Sequence, residues 1–155
     1  MTHPRAVVVA LALAAVPAAA TADTAIEKVL DALHQAASNA DAERYFGLFA
    51  PDAVFFGTDP EERWTLDEFR DYTEARFSAG DGWTYEVVER HVVVAPDGRV
   101  AWFDEALDNE RYGRCRGTGV LVLGDGGWKI AQYNLSIPIP NDLALTVVDL
   151  IRDHR

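Results

Sequence analysis

The chain is short of the residues that would mark it as several kinds of protein. It has one cysteine, Cys115, so no internal disulfide can form. A lone small thiol in an apolar strand pattern reads as a core residue rather than a reactive one. Cations are scarce as well: 14 Lys and Arg stand against 25 Asp and Glu, for a net charge of −11. A surface of that sign repels phosphate backbones and anionic lipid, which argues against nucleic acid and acidic membranes as partners and favours solubility. After residue 22 no apolar run is long enough to span a bilayer. The later histidines, His34, His91 and His154, are too scattered to form a metal motif. GTGVLVLGDGG lacks the lysine and the strand-to-helix setting of a phosphate loop, and no serine sits in a nucleophile elbow. Neither a metal nor a cofactor is expected.

What is present begins with residues 1–22. MTHPR carries a firm positive charge, AVVVALALAAV is apolar but too short to span, and PAAATA places Ala20 and Ala22 at small-x-small spacing. That pattern is a secretory signal peptide cut before Asp23. It makes residues 23–155 one exported domain, periplasmic or secreted, with no membrane attachment after cleavage.

Helical signals come first in that domain. Thr24 with Glu27 reads as a capping box, followed by Ile26, Val29, Leu30, Leu33 and Ala37 at helical spacing. Asp41 can cap a short second helix with Ala42, Tyr45, Phe46 and Phe49 on one face, ended by Pro51. AVFFG is a short strand and TDPEER a loop. In WTLDEF, Thr65 and Glu68 form a second capping box, and Trp64 staples onto Phe69, opening a helix that runs to about Phe77. From Trp83 the period changes to two. WTYEVVERHVVV, RVAWFDEAL, CRGTGVLVL and WKIAQYNLSI are strands joined by APDG, DNERYG and GDGG, an antiparallel meander. Asn141 can cap a final helix with Leu143, Val147, Leu150 and Ile151 on one stripe. Helices followed by a run of strands predict an α+β fold, helices on one face of a curved sheet.

This order of elements, with RYFGLFAPDAVFFGTDPEERWT, VAWFDEAL, GRCRGTGVLVL and GGWKIAQYNLSIPIPND, resembles the SnoaL-like branch of the nuclear transport factor 2-like superfamily. The superfamily includes ketosteroid isomerase, scytalone dehydratase and limonene epoxide hydrolase. The resemblance covers residues 23–155 almost end to end. It implies a cone-shaped curved antiparallel sheet wrapped around N-terminal helices, an open-ended pocket, and a frequent homodimer through the convex face.

Side-chain alternation phases the strands. Cys115, Gly117, Gly119 and Leu121 share a face whose glycines suit close approach, so this face is expected inside. Ala101, Phe103, Glu105 and Leu107 share the matching face of AWFDEAL, which turns Glu105 inward and leaves Asp104 outside beside Arg114 or Arg116. Unbroken alternation would also bring His91 inward, with Trp83, Tyr85, Val87 and Glu89, and would line a polar wall with Gln132, Asn134 and Ser136. One bulge would reverse any of these phases. A desolvated Glu105 is expected to have a raised pKa, and with His91 it makes a candidate acid–base pair. The pocket-lining candidates are Trp64, Tyr72, Trp83, Gln132, Asn134 and Ser136. A buried carboxylate held in a structural pair explains Glu105 equally well.

Three functions fit. The first is a binding domain for a small, largely apolar molecule. The second is an isomerase, dehydratase or cyclase using Glu105 and His91. The third is an interaction domain acting through its outer sheet face, where Trp102, Val120 and Val122 would form an apolar patch suited to a homodimer.

Overall fold

A computed structural model describes residues 18–154. Most of the expected leader therefore lies outside the described residues. Helix α1 spans Ala18–Ser38 and passes without a break through the expected cut before Asp23. Thr24 thus sits inside α1 rather than capping it, because the alanine-rich AAATA preceding it is itself strong helix former. Among the described residues no helix is long and apolar enough to cross a membrane.

Helix α2, Ala42–Gly47, is capped by the Asp41 carboxylate, which accepts from the Arg44 amide at 3.0 Å. It stops before Phe49, which opens strand β1, Phe49–Phe56. Pro51 lies within that strand, not at a helix end. The strand tolerates it because the β1 pairing with its neighbour is interrupted between Phe49 and Val54, where a missing N–H costs no ladder bond. A second short strand, β2 (Arg63–Thr65), takes in the last residue of the expected TDPEER loop and the staple and cap residues Trp64 and Thr65. The Thr65–Glu68 capping box then starts α3, Leu66–Ser78.

Strands β3 (Glu86–Val94), β4 (Val100–Asn109), β5 (Gly113–Gly124) and β6 (Gly127–Ser136) form the antiparallel meander. The six-stranded sheet has the order β2-β1-β6-β5-β4-β3, with β1 parallel to β6. Its inner face packs on α1, α2 and α3 around Ile26, Leu30, Leu33, Tyr45, Phe46, Phe69, Phe103, Leu121 and Ile130. Cys115 is buried opposite Leu107, a core position as expected. The α+β architecture is the one the element order predicts. After a 3-10 turn at Asn141–Leu143, helix α4 (Ala144–His154) buries none of its residues.

Candidate functional site

Glu105 is the centre of the interior. It is 1% exposed and projects from β4 toward α1. Its Oε1 accepts from His34 Nε2 of α1 at 2.8 Å and from the Tyr133 hydroxyl of β6 at 2.9 Å. Its Oε2 accepts from Arg90 Nε of β3 at 2.9 Å, and Arg90 Nη1 reaches Asp31 of α1 at 2.7 Å. Because an ionised carboxylate only accepts, the hydrogen bond assigns the proton to His34 Nε2. Gly117 makes room for the cluster: a Cβ there would run into the Tyr133 hydroxyl and stand 2.8 Å from Glu105 Oε1. The alternate glycines of β5 thus mark a close approach, as their spacing suggests.

The charge state of Glu105 differs from the expectation. Burial alone would raise its pKa, and it is the largest single influence. Hydrogen bonding to His34, the His34 charge, and the charge and hydrogen bond of Arg90 together outweigh it, so the pKa is lowered. Burial likewise works to lower the Arg90 pKa, but Asp31 and Glu105 hold it above its usual value. Tyr133 is pushed well up, first by burial and then by the Glu105 charge, so it stays a neutral donor. Arg90 Nη2 is buried without a hydrogen-bond partner, the one such side-chain atom among the described residues.

His91 does not join this cluster. The β3–β4 register slips between Val87, opposite Leu107, and Glu89, opposite Ala106, so Val88 is an extra residue. Beyond it the phase reverses: Arg90 faces Glu105 on the inner side, and His91 faces Asp104 on the outer side. His91 Nδ1 lies 3.1 Å from Asp104 in open solvent, and that hydrogen bond, more than any other influence, raises its pKa. A second bulge between Leu121–Ile130 and Val120–Gln132 does the same to β6. Gln132, Asn134 and Ser136 therefore pair with Val120, Thr118 and Arg116 on the outer face, and Tyr133 and Leu135 turn inward. The polar wall expected from β6 is absent.

Trp64, Tyr72 and Trp83 do meet. They line a cavity of about 450 Å³ at the open end of the sheet, with Phe55, Tyr85, Tyr112 and Leu135. Arg76, Arg111, Glu62 and Glu110 also line it, and Arg76 pairs with Asp81 at 3.1 Å. A column of near-parallel rings runs from the buried Tyr133 to the cavity, with successive centroids 5.5 Å apart from Tyr133 to Phe55, 3.9 Å to Phe69, 5.5 Å to Trp64 and 4.6 Å to Tyr72; all but Tyr133 line it. A smaller space of about 20 Å³, bounded by His34, Tyr133, Tyr85, Trp83 and Leu135, lies on the inner side of the same residues. It is the size of a single water. Burial pushes the Tyr85 hydroxyl up to about 12. Among the described residues no group of His, Cys, Asp or Glu is placed to hold a metal ion.

His34, Arg90 and Tyr133 escaped the sequence reading. His34 carried a visible signal: it falls four residues after Leu30 and three before Ala37, within the apolar stripe of α1.

A helix-packed, strongly curved mixed sheet with an aromatic cavity at its open end defines a cone-fold pocket protein. A profile of the SnoaL-like domain matches residues 26–140, and the chain belongs to that family. Similar solved structures include an NTF2-like protein of unknown function from Pseudomonas putida: 17% identical, TM-score 0.66, covering 79% of this chain and 91% of that one. A provisionally assigned scytalone dehydratase from Novosphingobium aromaticivorans is 16% identical with TM-score 0.66, covering 78% and 87%. A provisionally assigned ketosteroid isomerase from Parabacteroides distasonis is 20% identical with TM-score 0.58, covering 74% and 86%. At such identities the likeness is one of fold. A search of curated proteins gave no significant match.

Proposed function

We propose that this SnoaL-like domain binds a small, flat, largely apolar molecule between the aromatic walls of the cavity at its open end. The observation that carries this reading is the ring column ending on Trp64 and Tyr72, in a cavity that Trp83 and Tyr112 also line. Planar ligands gain offset-stacking energy on such walls beyond the area they bury. Glu105 does not compete with it, because Arg90, His34 and Tyr133 already satisfy the carboxylate. Titration with 2-naphthol, followed by quenching of tryptophan fluorescence, tests the proposal. Saturable quenching is expected, weakened about tenfold, some 1.4 kcal/mol, in Tyr72→Ala. Tyr72 is exposed, so its loss spares the core. Linear quenching, equal in wild type and variant, overturns the proposal.

One observation favours a second reading as an acid–base enzyme: His34 borders the inner space while Glu105 orients its ring. His34 then takes the role first considered for His91. Exchange of the α-protons of 2-tetralone with deuterated water, faster than with buffer and lost in His34→Gln, is the expected sign; exchange at the buffer rate removes this reading.

Export with cleavage before Asp23, and a homodimer through the outer sheet face, complete the proposal. Across that face Val93, Trp102 and Val120 stand directly opposite one another on three adjacent strands, an apolar row in need of a cover. Intact-mass measurement of exported protein that still begins at Met1 would refute the cleavage.

A further inference from the structure

Asn109 is the last residue of β4, in the strand phase of Glu105 and Leu107. The ladder between β4 and β3 ends just before it, where Asp108 pairs with Glu86. Past that pair, residues 82–85 and the turn at 110–112 run on without strand pairing to each other, and both line the cavity. Segment 82–85 is fixed to the core. The Trp83 amide donates to Ala37 O near the end of α1 at 3.2 Å, and the Thr84 and Ser38 hydroxyls lie 3.0 Å apart. Gly82 permits that approach, since a Cβ there would stand 2.1 Å from Ala37 O. The turn is different: Glu110, Arg111, Tyr112 and Gly113 are all exposed.

One side chain joins the two segments. Asn109 Oδ1 accepts from the Arg111 amide at 3.0 Å and the Tyr112 amide at 2.9 Å, which shapes the turn. Its Nδ2 donates to Thr84 O at 2.9 Å, the one hydrogen bond between residues 82–85 and 109–112 among the described residues. These three partners fix the orientation of the amide. Reversed, it would set its NH2 against two N–H groups and its oxygen against a carbonyl. They also fix the residue type. A carboxylate in the same place would keep both bonds to the turn, lose the bond to Thr84, and face that carbonyl oxygen with a charge.

We propose that Asn109 is a positioning residue of the cavity. Its side-chain amide straps the β4–β5 turn, which carries Arg111 and Tyr112, to the fixed segment that carries Trp83 and Tyr85. The strap holds these two parts of the lining at one separation, so a ligand does not have to order the exposed turn as it binds. Without the strap the turn moves by itself and a bound molecule leaves sooner. This inference rests on the proposed binding in that cavity and names what keeps the cavity in shape.

Asn109→Asp tests the strap, because it retains the turn and removes only the tie to Thr84. NMR relaxation dispersion on the amides of residues 110–112 reads the motion of the turn, and 2-naphthol titration reads the binding. At pH 7 the variant is expected to show microsecond-to-millisecond exchange there that the wild type lacks, and to bind 2-naphthol about tenfold more weakly through faster dissociation. Relative to the wild type, its affinity should recover as pH falls toward the ordinary aspartate value of about 3.9, since a protonated carboxyl again offers one donor and one acceptor. A deficit that persists in acid would mean general damage to the fold and overturns the proposal. Wild-type affinity in the variant, with or without exchange in the turn, overturns it too, as does a loss of affinity without exchange. If the wild type itself does not bind 2-naphthol, the binding reading falls and the turn decides the strap: exchange in the variant alone supports it, and equal behaviour in both proteins refutes it.

Discussion

Asp104 and Glu105 are neighbours in sequence and carry the same charge, yet they occupy opposite kinds of environment. Asp104 faces solvent and meets His91, with side chains 62% and 59% exposed. Glu105 is sealed in and meets Arg90, His34 and Tyr133. In water a pair gains little, because the solvent competes for both charges and the side chains lose freedom. In the interior each charge has lost its hydration, so the pair must be complete, and removing one member strands the others. Alternation across a strand sets the whole difference: one residue of offset separates a surface ion pair from the polar centre of the core.

The largest effect that sharpens this contrast is Glu105→Ala. It leaves the Arg90 guanidinium buried with Asp31 as its remaining ion-pair partner, and a loss of about 3–5 kcal/mol in urea unfolding is expected. Glu105→Gln keeps an accepting oxygen and should lose less. A change under about 1 kcal/mol in Glu105→Ala would mean that water reaches the cluster and that it is not a sealed unit.

Acid provides the next test. The folded-state pKa of Glu105 is lowered, so its contribution to stability is fully present above the ordinary glutamate value near 4.3 and is lost as pH falls through the folded value. Stability measured from neutral pH downward should fall below that point in the wild type. It should fall less steeply in Glu105→Gln. Equal slopes would show that other carboxylates govern acid unfolding.

These two carboxylates also show how far the sequence could be read. The inward turn of Glu105 was legible because Ala101, Phe103 and Leu107 share its phase and because the glycines of β5 signal a close approach. The helix starts at Asp41 and Thr65 were legible because a cap is a local device, made by residues three apart. His91, Gln132, Asn134 and Ser136 were misplaced for one physical reason. A bulge adds a residue to one strand only, and what fixes its place is the curvature and pairing of the sheet as a whole. Nothing in VVERHVVV sets Val88 apart from the valines around it. Arg90 was hidden by the same slip, although its phase with Val92 and Val94 is apolar and would have been odd for a surface arginine. The start of β1 was missed because Phe49 continues the helical spacing of Tyr45 and Phe46.

A smaller effect is expected from Tyr133→Phe. It removes one neutral donor to Glu105 and leaves His34 and Arg90 in place, at a cost of about 1.5–3 kcal/mol, the usual range for a hydrogen bond to a charged group. The variant should also move the acid limb of the stability profile upward, because Glu105 would ionise less readily. If unfolding and acid limb are both unchanged, Arg90 and His34 hold the carboxylate without help.

The smallest effect belongs to Asp104→Asn, and it tests the outer half of the comparison. His91 has its pKa raised chiefly by the hydrogen bond it donates to Asp104, then by the charges of Asp104 and Glu89. A raised histidine contributes stability that is present below its unfolded value, near 6.5, and lost as pH rises through the folded value. With both groups in solvent that contribution is slight, so Tm at pH 6 should move by no more than about a degree or two. The His91 titration, followed by NMR of its ring, should nonetheless drop toward the ordinary value when Asp104 loses its charge. That combination, a clear change in titration with almost none in stability, is what separates a solvated pair from a buried one. A large fall in Tm on Asp104→Asn would mean that the outer face is covered, as it is in a dimer closed over Trp102 and its neighbours, and repeating the measurement at concentrations below the dimer's dissociation would then bring the effect back to near zero.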